Sequence, residues 1–134
     1  MRKVKVDLDE VEINRNMKVV FTAFSRKNFF WRMYISKFVL NKGCAPVNPF
    51  MNFEYFLFDN ADYNEIIKAT NNIIKKCDEI WVFGDVSEGV CCEIKLGKRL
   101  GKPIRYFNMF GMPFEVKEVK ENEINYEKNF NLSE

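Results

Sequence analysis

Hydrophobic residues along the chain fall into short continuous runs separated by stripes at helical spacing. Ile80–Phe83 is apolar at every position, which is typical of a parallel strand covered on both faces. An earlier run, residues 18–24 (KVVFTAF), is apolar, β-branched and aromatic, and it ends in a polar turn. Pro103–Phe107 forms a third strand-like segment. These segments predict the strands at the centre of a sheet.

Three stripes predict helices between and around these strands. The first spans residues 30–43 and ends in a lysine followed by a glycine, the second spans 66–76 and ends in two lysines, and the third spans 90–101 and ends in a glycine. The alternation of strand and helix predicts an α/β fold. We expect a doubly wound, mainly parallel sheet of four to five strands with helices on both faces, Rossmann/flavodoxin-like.

The pattern divides the chain into three parts. Residues 1–16 are charged and predict an N-terminal arm or edge strand, and residues 17–120 predict a single α/β domain whose last segment is another edge strand. Residues 121–134 are polar enough to predict a disordered tail.

Aromatic residues are concentrated in a segment that we predict to be a loop, Phe50–Tyr63. Six aromatic side chains are too many for an idle loop in solvent. They line a pocket for a flat base, cover the core or form a subunit contact. The last of these alternatives would allow the protein to self-associate.

Composition narrows the possible partners and the compartment. The chain has 134 residues with 21 basic and 19 acidic side chains, so its charge of +2 lacks the basic excess of a dedicated nucleic-acid binder. No apolar run reaches the roughly 20 residues that span a bilayer, and the N-terminus lacks the apolar block of a secretory signal. We expect a cytoplasmic protein with neither nucleic acid nor membrane as a partner.

The chain contains no histidine, which removes Ser-His-Asp and Cys-His catalysis and makes carboxylate chemistry the leading option. Its four cysteines, Cys44, Cys77, Cys91 and Cys92, lack the spacing of a zinc site. We expect free thiols, no metal and no cofactor.

A ligand is expected where the strand Ile80–Phe83 ends, because open α/β sheets bind small molecules beyond the carboxyl ends of their strands. The segment Gly84–Gly89 supplies polar and flexible residues there, and Glu93 is placed on the following helix to face the crevice. The alternative is that Glu93 is a solvated charge that pairs with Lys95 or Lys98.

Residues 17–107 resemble the nucleoside 2-deoxyribosyltransferase-like family, which includes related nucleotide N-glycosidases. Three pieces carry the resemblance: the first strand and its turn (FTAFS, residues 21–25), Asp78 at the opening of the later strand, and Ser-x-Gly-x-x-x-Glu at Ser87, Gly89 and Glu93. The last piece is the most specific.

The resemblance implies cleavage of an N-glycosidic bond, with Glu93 as the nucleophile that attacks the anomeric carbon of a deoxyribose. Ser87 and the backbone near Gly89 are then expected to hold the sugar or its 5′-phosphate. The first-strand turn with Ser25, Arg26 and Lys27 is expected to form a second phosphate contact. Members of the family commonly associate so that one subunit completes its neighbour's pocket, so the resemblance also implies a homo-oligomer. Phe24 is a candidate for stacking on the base.

A second acid is expected to assist the departing base, and we favour Asp85 over four alternatives: Asp59, Asp62, Glu65 and Glu88. Family members often carry an aspartate on the preceding helix where this chain has Thr70. Two other hypotheses therefore stay open. One is a non-catalytic module that binds a nucleotide or a nicotinamide derivative, and the other is an interaction protein that self-associates through its aromatic loop.

Overall fold

The computed structural model describes residues 16–53, 57–111 and 113–127 and contains one five-stranded sheet. The strand order is β2-β1-β3-β4-β5, where the strands are β1 (Val19–Phe24), β2 (Ala45–Val47), β3 (Glu79–Phe83), β4 (Ile104–Phe110) and β5 (Glu115–Val119). The first four run parallel, and β5 pairs antiparallel with β4 at the edge. The α/β class, the mostly parallel sheet and the last edge strand are thus confirmed.

Strand β3 lies at the centre of the sheet. All five of its residues are buried, and it pairs with β1 on one side and β4 on the other, with Ile80 opposite Phe21 and Ile104. A strand covered on both faces must be apolar at successive positions, which explains its continuous hydrophobic run.

In the described part of the chain, five α-helices accompany the sheet: α1 (Arg32–Asn41), α2 (Pro49–Asn52), α3 (Leu57–Asn60), α4 (Tyr63–Lys76) and α5 (Glu88–Arg99). Helix α1 packs through Ile35 and Val39 on the face that carries Trp81. Helices α4 and α5 pack on the opposite face, which carries Ile80 and Val82. No helix in the described residues combines the length and apolar character that crossing a bilayer requires.

Helices α2 and α3 lie inside the segment that the sequence predicts to be a loop. The Asn48 side chain accepts a hydrogen bond from the Phe50 N–H at 3.1 Å, and Pro49 occupies the first helical position, where a missing N–H costs nothing. These local signals favour a short helical turn, and the interpretation of residues 48–52 as a loop was wrong.

The aromatic side chains of this segment that the structure describes have different environments. Phe50 is buried, whereas Tyr63 is 64% exposed. Phe30, just before α1, and Met33 and Tyr34 in its first turn are also more than half exposed. The homo-oligomer that the family resemblance implies stays a prediction.

The first half of the predicted tail is ordered against the domain, which corrects the expected disorder of residues 121–127. Ile124 is buried at 8% exposure, and residue Tyr126 forms a parallel bridge with Val86. The burial of Ile124 in the core is enough to hold an otherwise polar segment in place. Residues 1–15 of the predicted arm and 128–134 of the tail lie outside the described residues.

Candidate functional site

A cavity of about 420 Å³ lies at the carboxyl ends of β1, β3 and β4. This is the edge where a parallel sheet is expected to bind a small molecule. The described residues that line the cavity are Lys27, Asn28, Gly84, Asp85, Met109 and Glu127. Of the sequence-predicted site residues, Lys27 and Asp85 line it.

Gly84 shapes the floor of this cavity. It has a positive φ of 77°, and its N–H donates to the Phe107 carbonyl at 2.8 Å. A Cβ at this position would lie 2.8 Å from Asn28 Nδ2 and 2.9 Å from Met109 Cε. Glycine is therefore required both by the backbone conformation and by the close approach of the two side chains.

Two carboxylates and one ammonium group face this cavity among the described residues. Asp85 is exposed in the turn after β3. Lys27 Nζ lies 4.0 Å from Glu127 Oε1, and the Glu127 side chain is only 16% exposed whereas that of Lys27 is 74% exposed. The site is thus polar and can donate hydrogen bonds through Lys27 and accept them through its acids.

The sequence analysis missed Glu127 because it lies in the predicted tail. Its backbone N–H donates to the Val86 carbonyl at 2.9 Å, so a contact distant in sequence places it at the cavity. Ile124, an apolar residue in a mostly polar stretch, is a sequence signal that points to an ordered segment.

Ser87 begins α5 as its N-cap. Its Oγ accepts a hydrogen bond from the Val90 N–H at 3.2 Å, which satisfies one of the unpaired amides of the first turn. The serine keeps its own O–H as a donor for a ligand. Gly89 is exposed in the first turn of the helix.

Glu93 lies six residues beyond Ser87 on α5, which corresponds to about 9 Å along the helix axis. It is half-buried beside Val90, Ile94 and Gly97, which face the sheet. No described residue forms a hydrogen bond or an ion pair with its carboxyl group. Burial raises the pKa of Glu93 from an ordinary 4.5 to about 8.

The two lysines that were the alternative partners of Glu93 do not pair with it. Lys98 forms an ion pair with Glu121 instead, and Lys95 has no ion pair with Glu93. Glu93 is also absent from the described residues that line the 420 Å³ cavity. Glu93 is thus a half-buried acid separate from the described lining.

The first-strand turn lines the cavity through Lys27 and Asn28, but not through the other residues that the sequence suggested. Phe24 is 3% exposed and its ring packs 5.0 Å from that of Phe50, so its expected stacking surface is covered by the core. Ser25 is also buried, and its Oγ accepts a hydrogen bond from the Lys27 N–H at 3.3 Å. Arg26 is exposed and is not among the described lining residues.

Asp78 and Thr70 have structural contacts away from the cavity. Asp78 Oδ2 accepts a hydrogen bond from the Val19 N–H at 2.7 Å and joins β1 to the start of β3. This contact lies at the amino ends of the strands, whereas the cavity lies at their carboxyl ends. Thr70 Oγ1 donates to the Ile66 carbonyl at 2.8 Å inside α4. The hydrogen bond from Val19 thus gives Asp78, the aspartate of the motif, a structural role that requires no ligand.

A second cavity, of about 550 Å³, lies along the C-terminal segment. The described residues that line it are Lys120, Glu121, Asn122, Ile124 and Tyr126, none of which the sequence analysis selected.

Comparison with known proteins gives a family but no function. No curated protein matches this chain. A family model described as a domain of unknown function, DUF7768, matches residues 21–107, which is well over half of the chain. The match includes Asp85, Ser87 and Glu93, and it ends before Glu127. The chain therefore belongs to the DUF7768 family.

Proposed function

We propose that the protein is a nucleoside or nucleotide N-glycosidase, or a 2-deoxyribosyltransferase-like enzyme, in which Glu93 is the nucleophile. The ionised Glu93 attacks the anomeric carbon, and an O–C1′ bond forms as the C1′–N bond to the base breaks. The base leaves with the electron pair of that bond and takes a proton from a water molecule that the Asp85 carboxylate holds by a hydrogen bond. The resulting hydroxide, or a second base that gives its N–H proton to that hydroxide, then displaces Glu93 from C1′.

The proposed fold is doubly wound, in the manner of Rossmann and flavodoxin-like proteins. Its support is the placement of α1 on one face and of α4 and α5 on the other, with β1 between β2 and β3. In such a fold the chain turns in opposite directions after β1 and β3, which opens a crevice between their carboxyl ends. Asn28 follows β1 and Asp85 follows β3, and both line the cavity there.

The observation that carries the proposal is the environment of Glu93. A half-buried carboxyl group without a partner among the described residues destabilises the fold whenever it is ionised. A strongly raised pKa is typical of catalytic acids and bases. With a pKa of about 8, Glu93 is mostly protonated at pH 7, so a nucleophilic role requires the rate to rise with pH.

A second candidate function is a non-catalytic module that binds a nucleotide or a nicotinamide derivative. It is favoured by the separation of Glu93 from the described lining of the cavity. In this case the cavity binds the ligand, and Glu93 is a buried acid that takes no part in chemistry.

Free-base release separates the two candidates. The protein is incubated with a panel of nucleosides, deoxynucleotides and nicotinamide dinucleotide, and the products are resolved by chromatography. The enzyme releases base, and Glu93→Gln abolishes release because an amide is a far weaker nucleophile. Glu88→Gln, an exposed acid in the first turn of α5, is the matched control and retains activity.

A binding module gives a different result in the same experiment. No base is released, yet nucleotides raise the thermal stability of the protein, because a ligand that binds only the folded state stabilises it. Base release that survives Glu93→Gln contradicts the assignment of Glu93.

A further inference from the structure

Glu127 lines the cavity at the strand ends, and it lies at the end of a segment, residues 124–127, that is held against the domain. The Val86 N–H donates to the Asn125 carbonyl at 2.8 Å, and the Glu127 N–H donates to the Val86 carbonyl at 2.9 Å. Ile124 anchors the same segment in the core. Backbone hydrogen bonds thus hold Glu127 in place without a ligand, and its side chain lines the cavity.

Glu127 also sets the charge that a ligand meets. Lys27 Nζ is 4.0 Å from Glu127 Oε1, so the carboxylate compensates the one cation among the described lining residues. Asp85 adds a second carboxylate to the same surface. Two acids and one base leave this described lining with an excess of one negative charge.

A phosphate group fits this lining poorly. It is repelled by Asp85 and must compete with Glu127 for Lys27. A neutral nucleoside instead offers hydroxyl and amino groups that donate hydrogen bonds to the two carboxylates. Arg26, the neighbouring cation, is not among the described residues that line the cavity.

We infer that Glu127 is a specificity-determining residue that makes the cavity select an unphosphorylated nucleoside over its 5′-monophosphate. The inference rests on the proposed function and names its substrate class. It assigns this role to a residue outside the part of the chain that the family model matches.

The test compares the binding of each 2′-deoxynucleoside with that of its 5′-monophosphate by isothermal titration calorimetry. The wild-type protein is expected to bind the nucleoside about tenfold more tightly, which corresponds to about 1.4 kcal/mol. Glu127→Gln frees Lys27 and is expected to lower this preference by about fivefold or more, chiefly through tighter binding of the monophosphate.

Two further variants make the comparison specific. Glu123→Gln removes the same charge from an exposed position that does not line the cavity, and it is expected to leave the preference within about twofold. Lys27→Met removes the cation and is expected to increase the preference for the nucleoside. It also tests the inference independently if Glu127→Gln does not fold.

The inference is overturned by a wild-type preference for the monophosphate, or by equal effects of Glu127→Gln and Glu123→Gln. Either result leaves the proposed function intact. If no nucleoside or nucleotide binds and no base is released, the proposed function itself is wrong and the inference falls with it.

Discussion

Glu93→Gln is expected to stabilise the protein at alkaline pH, because it removes a carboxyl group that the fold keeps out of water. Burial raises the pKa of Glu93 from 4.5 to about 8, so the unfolded chain releases this proton well before the folded protein does. The free energy of unfolding therefore falls as the pH rises from about 4.5 to about 8. Above that range, the titration of Glu93 changes it no further.

The size of the effect follows from the shift. Each pKa unit corresponds to 1.36 kcal/mol, so the difference between 4.5 and about 8 makes the wild type lose up to about 4 kcal/mol between pH 5 and pH 8.5. Because the side chain is half-buried rather than fully buried, solvent screening reduces this figure, and we expect roughly 1 to 4 kcal/mol. Because glutamine does not titrate, the Glu93→Gln variant loses none of this stability.

Urea unfolding at pH 5, 7 and 8.5 measures the difference. The advantage of Glu93→Gln over the wild type is expected to grow steadily with pH, whereas Glu88→Gln, on the exposed side of the same helix, shows no such growth. Parallel pH profiles for the wild type and Glu93→Gln would refute the reasoning, because they would mean that Glu93 is solvated in the folded protein.

Three other expectations follow from the structure. Gly84→Ala places a methyl group against Asn28 and Met109 at a positive φ, and we expect it to cost roughly 1 to 3 kcal/mol in urea unfolding and to weaken ligand binding. Ile124→Ala is expected to cost roughly 2 kcal/mol and to speed amide hydrogen exchange in the C-terminal segment, and unchanged exchange there contradicts the anchoring role. The value of kcat/KM is expected to rise about tenfold per pH unit below the Glu93 pKa of about 8, and a rate that falls over this range indicates an acid role for Glu93 instead.

The elements that could be predicted from sequence are those whose burial is indicated by a local pattern of apolar residues. β3 is apolar at every position because it is covered on both faces, and α5 shows its sheet-facing side at helical spacing.

The parts that could not be predicted depend on contacts distant in sequence. Glu127 reaches the cavity because its backbone pairs with Val86, and no local periodicity encodes that pairing. Phe24 was proposed as a stacking surface, yet Phe50 covers it, which again is a tertiary contact. Asp78 is part of the pattern that carries the family resemblance. In the structure, its contact is a hydrogen bond from the Val19 N–H that joins two strands.

The most direct test of the account is the initial rate of base release from 2′-deoxynucleosides at pH 8 by the wild type, Glu93→Gln and Glu88→Gln. The account predicts release by the wild type and by Glu88→Gln and none above background by Glu93→Gln. Release by Glu93→Gln at the wild-type rate, or no release by the wild type from any substrate, would contradict it.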